Sequence, residues 1–256
     1  MVCVQIYEFG PADGPAVLAL HGVSGHGKRW ESFANEHLPE AHVIAPDLRG
    51  HGRSPWEPPW NFETLVDDAV EVIGDRGPVL LVGHSFGGAI GLHLAARHPE
   101  LVRGLVLLDP AIALPGPELL EVATATVESP DYTDLAEARS EKVHGSWGDV
   151  DERLIDAELA EHLIPTRNGR VGWRMSVPAI VAFYGELARE FVLPAPDLPT
   201  VLVQAMKVQP SYVTPPFLAA LRERLGDNLT VHHFDCDHMV AFAKPSETAA
   251  VIRKLL

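Results

Sequence analysis

Short, nearly uninterrupted apolar runs recur along the chain at residues 16–20, 42–45, 79–82, 105–108, 201–203 and 229–234, spaced widely enough for helices to lie between them. A strand covered on both faces needs apolar side chains on both, so continuous runs separated by helical patterns predict a mostly parallel sheet flanked by helices. Phe62, Leu65, Val66, Ala69, Val70 and Val72 recur at helical spacing behind Asn61, a residue suited to an N-cap. A last helix is expected over residues 246–256 after Pro245, with Ala249, Ile252 and Leu255 along one side. The opening residues 1–9 alternate as a strand does.

The rhythm changes between Asp109 and Thr200. Prolines at 110, 115 and 117 and again at 194, 196 and 199 enclose helical patterns over residues 118–128, 135–143, 152–163 and 177–191, with no strand evident. The expected organisation is therefore a core formed by residues 1–110 and 197–256 and a helical cap over residues 111–196. A crossover that leaves the C-terminal end of a strand lies over the sheet edge where ligands bind in open α/β folds.

Gly83-His84-Ser85-Phe86-Gly87 follows one apolar run and leads directly into the helix-like residues 88–96. This Gly-x-Ser-x-Gly pattern, between a buried strand and a helix, predicts a sharp turn with Ser85 at its apex and its hydroxyl above the sheet edge. The glycines remove Cβ atoms where the backbone must turn and pack closely. A serine in that place is a candidate nucleophile.

Composition narrows the setting. The 256 residues fit one large α/β domain, or one carrying an insertion. No stretch approaches the roughly 18 unbroken apolar residues of a membrane span. A formal charge of −15 argues against nucleic acid and anionic membrane partners. The opening residues lack both a basic leader and a small-residue cleavage site, so a cytoplasmic protein is expected. Cys3 and Cys236 suit buried thiols in a reducing compartment, with a disulfide between them as the alternative.

His21-Gly22 after the first parallel run, Pro46-Asp47-Leu48-Arg49-Gly50-His51-Gly52-Arg53-Ser54 after the second, Gly-His-Ser-Phe-Gly-Gly after the third and Asp237-His238-Met239 after the last resemble the α/β-hydrolase fold family across the whole chain. A serine hydroxyl needs a base to take its proton. The resemblance implies that this base is His238. The commonest family pattern puts an acid after the next-to-last strand, yet residues 203–214 contain no carboxylate. Asp109 ends the strand after the nucleophile's, emerges at the same edge and completes the order nucleophile, acid, base. Some family members carry the acid there, whereas in others such an aspartate only ties down the start of the cap. Asp235 is a lesser alternative. Asp237 adjoins the base and Asp197 belongs to the opposite edge.

Charge on the attacked carbonyl oxygen calls for two waiting backbone donors. These are expected to be the amides of Phe86, directly after the serine, and Val23, in the loop after His21. His21 itself is expected to organise that loop, and His84 to be structural. No pair of histidines has zinc-helix spacing, so no metal is expected, and serine-based ester hydrolysis needs no cofactor. Trp147, Phe183 and Tyr184 are the expected substrate-binding residues, chosen from a wider set with Trp56, Trp60, Trp173 and Met175. An apolar cap over a serine suits a small-molecule apolar ester or other acyl substrate. The resemblance implies ester hydrolysis of an esterase or lipase type, with thioester, amide or carbon–carbon bond hydrolysis, perhydrolysis and acyl transfer as alternatives. A non-catalytic ligand receptor is a more distant one. Epoxide hydrolases and haloalkane dehalogenases resemble the family with aspartate where Ser85 stands.

Overall fold

The computed structural model describes residues 4–256, so Cys3 and the start of the expected leading strand lie outside the described residues. The chain runs β1 (Ile6–Phe9), β2 (Ala16–Leu20), α1 (Glu31–His37), β3 (His42–Pro46), α2 (Phe62–Ile73), β4 (Val79–His84), α3 (Phe86–Arg97) and β5 (Val102–Leu108). It continues through α4 (Gly116–Glu128), α5 (Leu135–His144), α6 (Glu152–His162), β6 (Leu163–Pro165), β7 (Val171–Trp173) and α7 (Val177–Leu187). It closes with β8 (Thr200–Ala205), α8 (Pro215–Leu225), β9 (Leu229–Phe234), α9 (Val240–Ala243) and α10 (Pro245–Arg253). Seven strands form one sheet in the order β1-β3-β2-β4-β5-β8-β9. Within this sheet, among the described residues, only the β1–β3 pairing is antiparallel.

Alternate side chains of the central strands serve two cores. Leu18, Leu81, Leu105, Leu107 and Leu202 pack with α2, α3, α7 and α8 on one face. Val17, Leu80, Val82, Val106 and Val203 pack with α1, α9 and α10 on the other. The continuous apolar runs therefore fill both layers, as the parallel sheet requires. Asn61 caps α2, its side chain accepting from the Thr64 amide at 2.9 Å.

Residues between β5 and β8 form four helices and contribute to both cores, Phe183 and Leu187 to the first, Ala138, Ile155 and Leu159 to the second. The strandless expectation for this stretch is incorrect. Leu163–Pro165 and Val171–Trp173 pair as a small antiparallel ribbon. Each strand is three residues long, too short for an alternation to register, and the turn between them holds Asn168 at a φ of 60°. Among the described residues no helix is long and apolar enough to cross a membrane.

Candidate active site

Ser85 joins β4 to α3 with φ 54° and ψ −119°, a conformation that costs an L-residue on the order of 1–3 kcal/mol. The surroundings hold it there. Its amide donates to the Leu108 carbonyl at 3.1 Å, and its carbonyl accepts from the amides of Gly88 at 2.9 Å and Ala111 at 3.3 Å. The motif glycines are required by close approach: a Cβ on Gly83 would stand 2.5 Å from the Gly87 carbonyl oxygen, and one on Gly87 would stand 2.4 Å from that of Leu20.

β5 pairs in register with β4, His84 opposite Leu108, so the next residues, Ser85 and Asp109, leave the sheet side by side. Asp109 is completely buried. Its Oδ1 accepts from the Ala205 amide at 3.0 Å, and its Oδ2 lies 2.6 Å from His238 Nδ1. Among the described residues no other carboxylate pairs with the His238 ring. Asp237 instead accepts from the His238 amide at 3.2 Å. Ser85 and His238 line the same cavity without a direct hydrogen bond between them.

The base loop is held by contacts absent from the sequence reading. His84 Nε2–H donates to the His238 carbonyl at 2.9 Å, which fixes its tautomer, since a carbonyl only accepts. Burial, reinforced by His238, keeps the His84 imidazole well below the usual histidine range. Asp149 accepts from the Asp237 amide at 2.8 Å and pairs with Lys207. Tyr212 meets the His238 ring edge-on at 4.7 Å. Burial, followed by the charge of Asp109, raises the Tyr212 phenol.

Behind Ser85, His21 Nδ1–H donates to the Gly22 carbonyl at 2.8 Å while Nε2 accepts from the Leu48 amide at 3.0 Å. The Gly25 amide donates to the same Gly22 carbonyl at 3.0 Å. Because the peptide unit is planar and trans, a carbonyl pinned on one side aims the following Val23 amide to the other. Neither the Val23 nor the Phe86 amide has an acceptor among the described residues.

The cavity holding Ser85 and His238 has a volume of about 240 Å³, and a slightly larger one of about 270 Å³, which shares Trp147 with it, contains neither residue in its wall. Chemistry therefore selects the smaller. Leu119, Val122, Trp147, Tyr184 and Tyr212 give its wall apolar surface, beside the charged Arg29 and Glu118. Phe183 is a correction. It does not line the cavity but is fully buried, parallel to His51 at 5.6 Å and tilted against Phe86 at 4.8 Å. Trp56, Trp60, Trp173 and Met175 also lie outside that wall. Among the described residues no group of three or more His, Cys, Asp or Glu is arranged to hold a metal ion.

With this fold and site in view, residues 15–143 match the family model described as alpha/beta hydrolase fold, and the chain belongs to that family. It is 50% identical over 258 residues to Lipase LipV of Mycobacterium tuberculosis, an alignment covering 100% of this chain and 98% of that one. The sn-1-specific diacylglycerol lipase ABHD11 of Mus musculus is 30% identical over 67% of this chain and 58% of its own length. Among solved structures, E-2-(acetamidomethylene)succinate hydrolase superposes with a TM-score of 0.83 at 22% identity, covering 99% of this chain and 95% of that one. A marine microorganism esterase gives 0.77 at 20% identity, with both chains covered in full. At those identities the structures speak for the fold alone.

Proposed function

We propose that the protein hydrolyses carboxylic esters through an acyl-enzyme on Ser85, with His238 as general base and Asp109 as the acid that orients it. The observation that carries this reading is the buried Asp109 carboxylate 2.6 Å from His238 Nδ1, at the sheet edge where Ser85 emerges. With its Nδ1 proton directed to Asp109, neutral His238 offers Nε2 as the acceptor for the Ser85 proton. The serine oxygen attacks the ester carbonyl, and the developing oxyanion is received by the Val23 and Phe86 amides. Such a donor typically contributes about 3 kcal/mol to transition-state stabilisation. Imidazolium then protonates the departing alkoxide, leaving the acyl group on Ser85. Water enters, His238 takes its proton, and collapse of the second tetrahedral intermediate returns the serine and releases the acid.

Residues 111–196 serve in this reading as a cap on the core formed by residues 1–110 and 197–256. Its Leu119, Val122, Trp147 and Tyr184 line the cavity with apolar surface suited to the acyl or alcohol part of an uncharged ester, and limit water around the reacting atoms. The diacylglycerol in the name of the ABHD11 relative is an uncharged ester, the substrate class this reading assigns.

A series of p-nitrophenyl esters from acetate to laurate tests the proposal, run with wild type and Ser85→Ala and paired with fluorophosphonate labelling. Wild type should turn over esters and take one label at Ser85, and the variant should do neither. Ester turnover that survives Ser85→Ala would overturn the assignment.

A further inference from the structure

The insertion places a charged side chain deep against the core where the ester chemistry proposed above has no direct use for it. Glu158 of α6 is 3% exposed, yet its carboxylate accepts from Arg29 Nε at 3.0 Å, Lys142 Nζ at 2.9 Å and His26 Nε2 at 2.9 Å, with a second bond from Arg29 Nη2. Burial alone would raise this carboxyl, but the charges of Arg29 and Lys142, together with His26, hold it well below the usual carboxylate range. A buried carboxylate so completely paired fixes the geometry of its partners.

Arg29 carries that constraint to the site. Besides the two bonds to Glu158, its Nη2 donates to the Ser24 carbonyl at 3.3 Å. Ser24 follows Val23 and itself holds a φ of 64°, so its conformation depends on outside support. The turn has no slack: a Cβ on Gly25 would stand 2.7 Å from His21 Nδ1 and 2.9 Å from Arg29 Nη1. His21 thus pins the Gly22 carbonyl from one side and Arg29 pins the Ser24 carbonyl from the other, with the Val23 amide between them. The same cations clasp Trp147 in the cavity wall, Lys142 Nζ at 4.3 Å and the Arg29 guanidinium at 5.1 Å from the ring centre.

From these contacts we infer that Glu158 is a positioning residue for the oxyanion hole: through the forked Arg29 guanidinium, the insertion sets the direction of the Val23 amide. The inference rests on the ester-hydrolase reading and adds a function for the insertion beyond covering the site. Lysine cannot replace Arg29 here, because a single ammonium lacks the fork that holds Glu158 and the Ser24 carbonyl together.

Butylboronic acid is the probe that separates positioning from folding. Its tetrahedral adduct on a serine needs the oxyanion donors, and its inhibition constant does not change when part of a preparation is merely inactive. In Glu158→Gln, kcat for p-nitrophenyl butyrate, corrected for fluorophosphonate-titrated sites, should fall about 10- to 100-fold, the cost of moving a donor without deleting it. KM should stay within about twofold, and boronate inhibition should weaken by the same factor as kcat. Arg29→Lys should reproduce this pattern, and it supplies the measurement if Glu158→Gln does not fold. Unchanged boronate affinity per active site in the folded variants overturns the inference. Ser85→Ala in the same assay keeps the two claims apart, since turnover in that variant defeats the nucleophile assignment, whereas an inert Ser85→Ala beside normal boronate affinity in Glu158→Gln defeats only the positioning role.

Discussion

Replacing Asp109 with asparagine changes few atoms and should still remove nearly all turnover. The reason lies in the two contacts of the carboxylate. Its Oδ1 faces the Ala205 amide, a donor that demands an acceptor, so the asparagine carbonyl must take that position. The asparagine NH₂ is then forced toward His238 Nδ1, where Oδ2 stood at 2.6 Å. Two donors cannot face each other at that distance, so the ring moves its proton to Nε2. A protonated Nε2 cannot accept from Ser85. The established serine-protease case of this substitution lowers kcat by about 10⁴, or about 5 kcal/mol of activation free energy, and a similar loss is expected here. Steady-state kinetics on p-nitrophenyl butyrate, normalised to protein shown to be folded by circular dichroism, measures it directly. The melting temperature should shift little beside the activity, because volume and the Ala205 bond are retained. Activity within tenfold of wild type would falsify the role of Asp109 as the orienting acid.

Burial lowers the His51 imidazole to about 4 and holds those of His21 and His84 well below the ordinary value. Above pH 6.5 neither folded nor unfolded chain protonates these rings, whereas below it the unfolded chain takes up protons that the folded one refuses. Stability should therefore fall from pH 6.5 toward 4, with about 2 kcal/mol lost from His51 alone by pH 5. Urea midpoints at pH 7 and pH 5 test this, and equal midpoints would contradict it. Phe183→Ala should destabilise by about 3–5 kcal/mol, lowering the melting temperature by on the order of 10 °C, with KM per folded enzyme little changed. Tyr184→Ala should instead alter KM and acyl-length preference with a smaller thermal cost. A reversal of these two effects would return Phe183 to the cavity wall.

That adjacent pair shows where sequence reasoning stops. Residues 183 and 184 differ by about 100° around α7, so both belonged to an aromatic helical segment, and only packing against His51 and Phe86 assigns Phe183 to the core. Long-period signals were easier to read. The buried strands appear as apolar runs because both sheet faces are covered, and the Ser85 turn is visible because glycines are needed where backbones approach. Asp109 could be singled out because strand order places successive strand ends at one edge. The β6–β7 ribbon left no comparable trace, being built from two three-residue strands. Contacts that join distant stretches of chain, His84 to the His238 carbonyl or Arg29 to Glu158, have no local period at all. Their only trace in the sequence is the presence of polar residues among apolar neighbours, which does not identify their partners.

The proposed reaction requires one oxygen, on Ser85, to carry the acyl group between its two halves. Rapid acid quenching during turnover of p-nitrophenyl butyrate, followed by peptide mass spectrometry, reads that state directly. A butyryl increment is expected on the peptide containing Ser85, formed and lost at rates compatible with kcat, and none in Ser85→Ala. A butyryl group on a different residue, kinetically competent while Ser85 stays unmodified, would contradict it.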